Sequence, residues 1–234
     1  GAEKLRMYNI NNAWELSCMN EEWARKNLGG VVGVRLLKEL NGLPCIEMKD
    51  PLVSKKMIAT TRMFGRRVEE LSELREAVAT YITRAAEKLR RQHGAAKNLS
   101  LFIVESDLRA SRKYAPTTQS VSVNMPVATN ITQDIIRCAM PLVDMLYEKG
   151  NSYIKAGVIL SNIVPEREIQ HNLFTLSPTE KQKKLMQAVD NINFSMRNDV
   201  VKFAASGVSK CWKMRQEKRS RKFTTRWDEL CVVT

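Results

Sequence analysis

Histidine is scarce in this chain, and long apolar runs are missing. Two histidines, His93 and His171, and five scattered cysteines offer no CxxC pair and no zinc-ligand spacing, and an odd number of thiols suits no disulfide framework. A reducing cytosol fits that usage. No apolar stretch approaches the ~18 residues of a membrane helix, and no signal peptide opens the chain, so no membrane partner is expected. There is no Gly-rich phosphate loop and no carboxylate pair beside a nucleophile, which excludes a recognisable catalytic centre. Cys138 lies among apolar residues in a helical pattern and reads as core. His93 reads as a solvated helix-end residue, and His171 supports no assignment.

What the chain has in excess is positive charge: +13 over 234 residues, with a pI of about 9.7. Such a balance suits a polyanion. The charge is unevenly placed. Residues 1–53 are neutral overall, residues 54–164 carry +7 and residues 165–234 carry +6. Gly1-Ala2 reads as a cloning remnant, so a piece of a longer protein is expected.

Hydrophobic periodicity gives the elements. Residues 3–42 read as short helices, with Asn12 and Asn20 as N-caps and a third helix carrying Val31, Val34, Leu37 and Leu40. Residues 50–56 read as a linker. A strand over 57–64 and a basic turn at Gly65-Arg66-Arg67 precede a long helix, with Leu71, Leu74, Val78, Tyr81, Ile82, Ala85 and Leu89 on one face and Gly94 as its stop. Strands follow over 99–104 and 118–123, flanking a basic loop at 107–116. A second helix, capped by Asn130 and kinked at Pro141, leads to a strand over 153–160. The order β-α-β-β-α-β predicts an α+β fold, a split βαββαβ domain with a four-stranded antiparallel sheet and two helices on one face. Ser177-Pro178-Thr179-Glu180 reads as a capping box opening a helix with Leu185, Val189, Ile192 and Met196 on one face, and 200–204 as a short strand. The predicted architecture places a small helical unit before the sheet domain and a mainly helical region after it. The expected boundaries are 1–53, 54–164, a linker at 165–176, and 177–234.

The uncovered sheet face is expected to hold hydroxyls and cations: Thr60 or Thr61, Arg62, Ser120, Ser122 and Lys155. With Arg66 and Arg67, and with Arg109, Arg112 and Lys113 from the basic loop, it suggests contact with phosphates rather than base stacking, because no aromatic is expected there. A merely solvated face is the bland alternative. The run Gln170-His171-Asn172-Leu173-Phe174 either folds its Leu-Phe pair back or offers it to a partner's pocket. In the basic tail, Trp212, Phe223 and Trp227 are expected to be buried anchors among Arg215, Arg226 and other cations.

Several runs carry a resemblance. They are Ile58-Ala59-Thr60-Thr61-Arg62-Met63-Phe64-Gly65, Arg84-Ala85-Ala86-Glu87-Lys88-Leu89-Arg90, Tyr153-Ile154-Lys155-Ala156-Gly157-Val158, and the tail runs Trp212-Lys213-Met214-Arg215 and Phe223-Thr224-Thr225-Arg226-Trp227. Together they resemble the C-terminal half of UmuC-type Y-family translesion polymerases, the catalytic subunits of bacterial DNA polymerase V. Residues 3–46 look like the latter part of that family's thumb. The resemblance implies that 54–164 is a little finger gripping primer-template DNA. It makes Gln170, Leu173 and Phe174 a peptide for the bacterial sliding clamp. It makes the tail, with Trp212, Arg215, Phe223, Arg226 and Trp227, a docking region for the UmuD′ dimer and the RecA filament in the SOS response. A cytoplasmic, nucleoid-associated place follows. The family's palm, whose acidic residues hold Mg²⁺ for nucleotidyl transfer, has no counterpart here, so this chain is expected to bind rather than polymerise and to need no cofactor of its own. The runner-up is a stand-alone nucleic-acid-binding adaptor.

Overall fold

A computed structural model gives the fold; it describes residues 2–47, 54–106, 117–170, 179–196, 200–214 and 218–230. These fall into two compact units, Gly1–Val53 and Ser54–Thr234. The first contains α1 (Ala2–Met7), α2 (Ala13–Ser17), α3 (Glu21–Asn27) and α4 (Val31–Leu40). Asn12 and Asn20 cap α2 and α3 as the sequence indicates, their side-chain oxygens accepting from the Glu15 and Trp23 amides at 2.9 and 2.7 Å. Leu16, Ala24, Val34 and Leu37 form its small core.

The second unit runs β1 (Ile58–Val68), α5 (Leu71–Arg91), β2 (Gly94–Glu105), β3 (Thr118–Thr129), α6 (Thr132–Leu146), β4 (Tyr153–Pro165) and α7 (Glu180–Ser195). The sheet order is β1-β4-β2-β3, and every neighbouring pair is antiparallel. β4 lies between β1 and β2, and β2 between β3 and β4, so both βαβ crossovers are split. α5 packs on β1, β4 and β2, α6 packs on β3 and β2, and the helices pack on each other. Both therefore cover one face. Leu74, Ile82 and Leu89 of α5 and Ile135 and Val143 of α6 meet Leu99, Leu101, Ile103, Val158 and Leu160 of the sheet, all fully buried. This is the α+β architecture expected from the periodicity.

Local departures have physical causes. Gly65-Arg66-Arg67 is not a turn: β1 continues through it, with a register shift between Met63 and Val68. α5 stops at Arg91; His93 takes the left-handed turn at φ 53° and Gly94 opens β2. Asn130 is no cap: its buried amide donates to the Gly94 carbonyl, while Thr129 Oγ1 accepts from the Ile131 amide. Pro141 lies inside α6, which runs on to Leu146. The capping box is Thr179 with Gln182, two residues beyond the expected start. α7 does not bury Leu185, Ile192 or Met196, which are exposed; it buries Met186 and turns Asp190 and Asn193 inward. Asp190 takes a paired contact from Arg90 of α5, at 2.6 and 2.7 Å, and Arg90 also donates to the Asn130 carbonyl and Thr132 Oγ1. Asn193 bonds both backbone groups of Val201. Residues 200–204 make no strand; a 3-10 turn at Ala204–Ser206 lies against α5.

From there the chain returns to β1. The Gly65 amide donates to the Trp212 carbonyl at 2.8 Å, and a side chain at Gly65 would collide with the Lys213 carbonyl. Trp212 is 4% exposed, edge-on to Phe64 and Tyr81 with ring centroids 6.3 and 5.7 Å away. Of the three expected tail anchors only this one is buried. Phe223 is exposed, and Trp227 is 89% exposed. Residues 218–230 hold themselves together instead: Glu229 takes the Lys222 amide and Arg226, and the Lys222 amide first, then Arg226, holds its carboxyl below the usual range. Trp212→Ala should cost about 3–5 kcal/mol in urea unfolding, the range for emptying a buried aromatic site, whereas Trp227→Ala should change it by less than about 0.5 kcal/mol. Equal effects would contradict this anchoring.

Candidate nucleic-acid interface

Strand registers assign the uncovered face row by row. Thr61, Gly157, Phe102 and Ser120 form one cross-strand row; Ala59, Ile159, Ser100 and Ser122 form the next; Ser161, Asn98 and Asn124 a third; and Met63, Lys155, Val104 and Thr118 the fourth. No acidic residue stands in these rows. Ser120, Ser122, Thr118 and Asn124 line the exposed β3 edge. Asn98 ties the third row together and to the second, accepting from Ser100 and Ser161 at 3.2 and 3.0 Å and donating to Asn124 at 2.9 Å.

The centre of the face is an aromatic ring with a cation on it. The Phe102 ring crosses the Cα of Gly157, with Thr61 on the other side, and any Cβ at Gly157 would strike both. Lys155 Nζ lies 5.8 Å from the Phe102 ring centroid, within cation–π reach. The sequence reading placed no aromatic here and missed Phe102, Asn98, Ser100, Asn124 and Ser161. The signal was present: Leu99, Leu101 and Ile103 alternate with Asn98, Ser100 and Phe102 along one strand.

Other expected site residues fall elsewhere. Ser120, Ser122 and Lys155 are on the open face. Thr60 and Arg62 are not; strand alternation turns them to the helix side with Ile58 and Phe64, and Thr61 and Met63 take the open positions. Arg66 pairs with Glu73 of α5, and Arg67 is exposed on the same strand. Arg109, Arg112, Lys113, Leu173, Phe174 and Arg215 lie outside the described residues. Gln170 is exposed, just past a 3-10 turn at Glu166–Glu168 whose first amide donates to the His93 carbonyl at 2.8 Å. Trp212 is in the core, and Arg226 pairs with Glu229.

Hydroxyls, amides and a lysine can meet phosphate oxygens. Cys138 is partly buried, and burial first, then Asp134, raises its thiol pKa, so it remains a protonated thiol. Among the described residues no three His, Cys, Asp or Glu side chains could hold a metal. The described residues thus hold no set that fits the metal pair of nucleotidyl transfer, and no step of that reaction is assigned to them. No helix among the described residues is long and apolar enough to cross a membrane.

Comparison with known proteins decides the family. A model of the impB/mucB/samB family C-terminal domain matches residues 55–173. The chain belongs to the impB/mucB/samB family. A second match, to a domain of unknown function (DUF4113), covers residues 183–233. Protein UmuC of Salmonella typhimurium is 34% identical over 99% of this chain and 54% of its own length. Protein SamB of Salmonella typhimurium is 34% identical over 98% and 53%. The chain spans about half the length of these relatives. Among solved structures, a Y-family DNA polymerase chimera overlaps 70% of this chain and 44% of its own, at 16% identity and a TM-score of 0.41.

Within this family member, the open face depends on Gly157. Gly157→Ala should cost about 1–3 kcal/mol by overpacking, and adding Phe102→Ala should recover part of that loss because the ring is what the new methyl strikes. Urea unfolding of the single and double variants tests this; additive losses would contradict it.

Proposed function

We propose that this chain is the DNA-gripping and partner-docking half of an error-prone translesion polymerase, and that its open sheet face lies along the backbone of primer-template DNA. The observation that carries the reading is the open face itself: four cross-strand rows without an acidic side chain, with Lys155 in an end row reaching over Phe102, in a chain of net charge +13. The family match supports the polymerase context. The unit 54–164 takes the part of the little finger and 1–53 that of a partial thumb. Affinity is then electrostatic and indifferent to base sequence. Lys155→Gln should weaken duplex binding and reduce the slope of log K against log salt by about one. Titration by fluorescence anisotropy at several salt concentrations measures it. An unchanged slope would contradict the assignment.

Residues 170–174 are proposed to dock on the bacterial sliding clamp. Support comes from the exposure of Gln170 and from anchorage on both sides, β4 before the run and the capped start of α7 after it. Burying Leu173 and Phe174 in a partner pocket is worth roughly 1.5–3 kcal/mol each. Leu173→Ala with Phe174→Ala should abolish clamp binding in surface plasmon resonance and leave the melting temperature unchanged; retained binding, or a melting temperature several degrees lower, would overturn it. Trp227 and Phe223, exposed next to Arg226, are proposed as tail contacts for the UmuD′ dimer or the RecA filament. A cytoplasmic place at the nucleoid follows from these partners.

A further inference from the structure

Helix α7 is held to the domain by polar side chains and leaves most of its large apolar ones outside. Asp190 and Asn193 fix it to Arg90 of α5 and to Val201, and Met186 is the apolar side chain it buries. Leu185, Val189, Ile192 and Met196 follow one another at spacings of four, three and four. At about 100° per residue they stand within about 60° of one another, a narrow stripe along the helix. Leu185, Ile192 and Met196 are 51%, 42% and 57% exposed, and Val189 is half-buried. A lone exposed apolar side chain is ordinary, but a row at heptad spacing is the seam by which one helix meets another.

The charges beside the stripe decide what can sit on it. Both acids of α7 are neutralised inside the domain: Glu180 pairs with Lys183 at 3.0 Å and Asp190 with Arg90 at 2.6 Å. Lys181, one turn before Leu185 on the same side of the helix, and Lys184 are exposed and have no ion pair among the described residues. Charges flanking an apolar seam choose the partner, and two unpaired lysines choose an acidic one. A second copy of the chain suits the stripe less well. Each copy brings a charge of +13, and a seam of about three turns is short of the roughly 800 Å² per partner that a stable pair buries.

We infer that the Leu185–Val189–Ile192–Met196 stripe of α7 docks an amphipathic helix of another protein, with acidic side chains flanking its apolar seam. The inference stands apart from the open sheet face, the run at 170–174 and the tail aromatics, none of which it uses. It also accounts for the way α7 is attached. Docking through Asp190 and Asn193 turns the helix so that its apolar stripe stays available, whereas an apolar inner face would have spent those side chains on the domain's own core. The contact is a short one and suits a reversible partner.

The probes are two fluorescein-labelled three-heptad peptides with Leu at every a and d position, one with Glu and the other with Lys at every e and g position. Fluorescence anisotropy against the full chain should show the Glu peptide binding at least about tenfold more tightly than the Lys peptide, with the difference shrinking as salt is added. Leu185→Ala with Ile192→Ala should weaken the Glu peptide at least about tenfold and leave the melting temperature of the chain unchanged. Lys181→Glu with Lys184→Glu should reverse the preference between the two peptides. Equal binding of both peptides, undiminished binding by the Leu185→Ala, Ile192→Ala variant, or a melting temperature several degrees lower in that variant would each overturn the inference; the last would mean that the chain itself covers the stripe. Sedimentation equilibrium without peptide should give a monomer, and a dimer that the same two substitutions dissolve would assign the stripe to a second copy instead. Lys155→Gln, and Leu173→Ala with Phe174→Ala, must keep the peptide binding, so a failure of the DNA or clamp reading stays distinct from a failure of this one.

Discussion

Trp212 is the contact on which the C-terminal stretch depends. Its ring stands edge-on between Phe64 of β1 and Tyr81 of α5, and its carbonyl takes the amide of Gly65. Edge-to-face aromatic pairs add about 0.5–1.5 kcal/mol beyond the area they bury. Upstream, Arg90 with Asp190 and Asn193 with Val201 hold α7 and the residues after it to the same domain. The two regions matched by separate family models are thus one folded unit, joined by polar contacts at one end and by an indole at the other.

That joint leaves the domain an open sheet face of polar groups with one lysine among its four rows. The open face spreads its polar groups over four rows, and its lysine rests on an aromatic ring. Such a surface suits a long, regular backbone. The two sides of the sheet are set by strand alternation: Thr61 and Met63 face one way, Thr60 and Arg62 the other.

Periodicity made the sheet order class and both helices legible, because long amphipathic segments such as 71–89 can bury only one face. Caps at Asn12 and Asn20 were legible because the bond is local, three residues along. Parity on β1 was harder to read, since Thr60 and Thr61 are alike in chemistry and only pairing with β4 separates them. Phe102 was missed because it stands between apolar Leu101 and Ile103, where parity has to be read from Asn98 and Ser100. Its place outside depends on Gly157, fifty-five residues on and on another strand. Trp212, Phe223 and Trp227 look equivalent as tail aromatics, and only Trp212 has a glycine on β1 that lets its backbone approach. α7 misled for a related reason: it docks through Asp190 and Asn193, which apolar patterning cannot reveal.

The central claim is that DNA lies on the open sheet face. A photo-crosslinking amino acid at position 122, on β3, or at position 137, exposed on α6, tests it most directly with a primer-template duplex. Crosslinking should occur from position 122 and stay at background from position 137. Crosslinking from 137 with none from 122 would contradict the account.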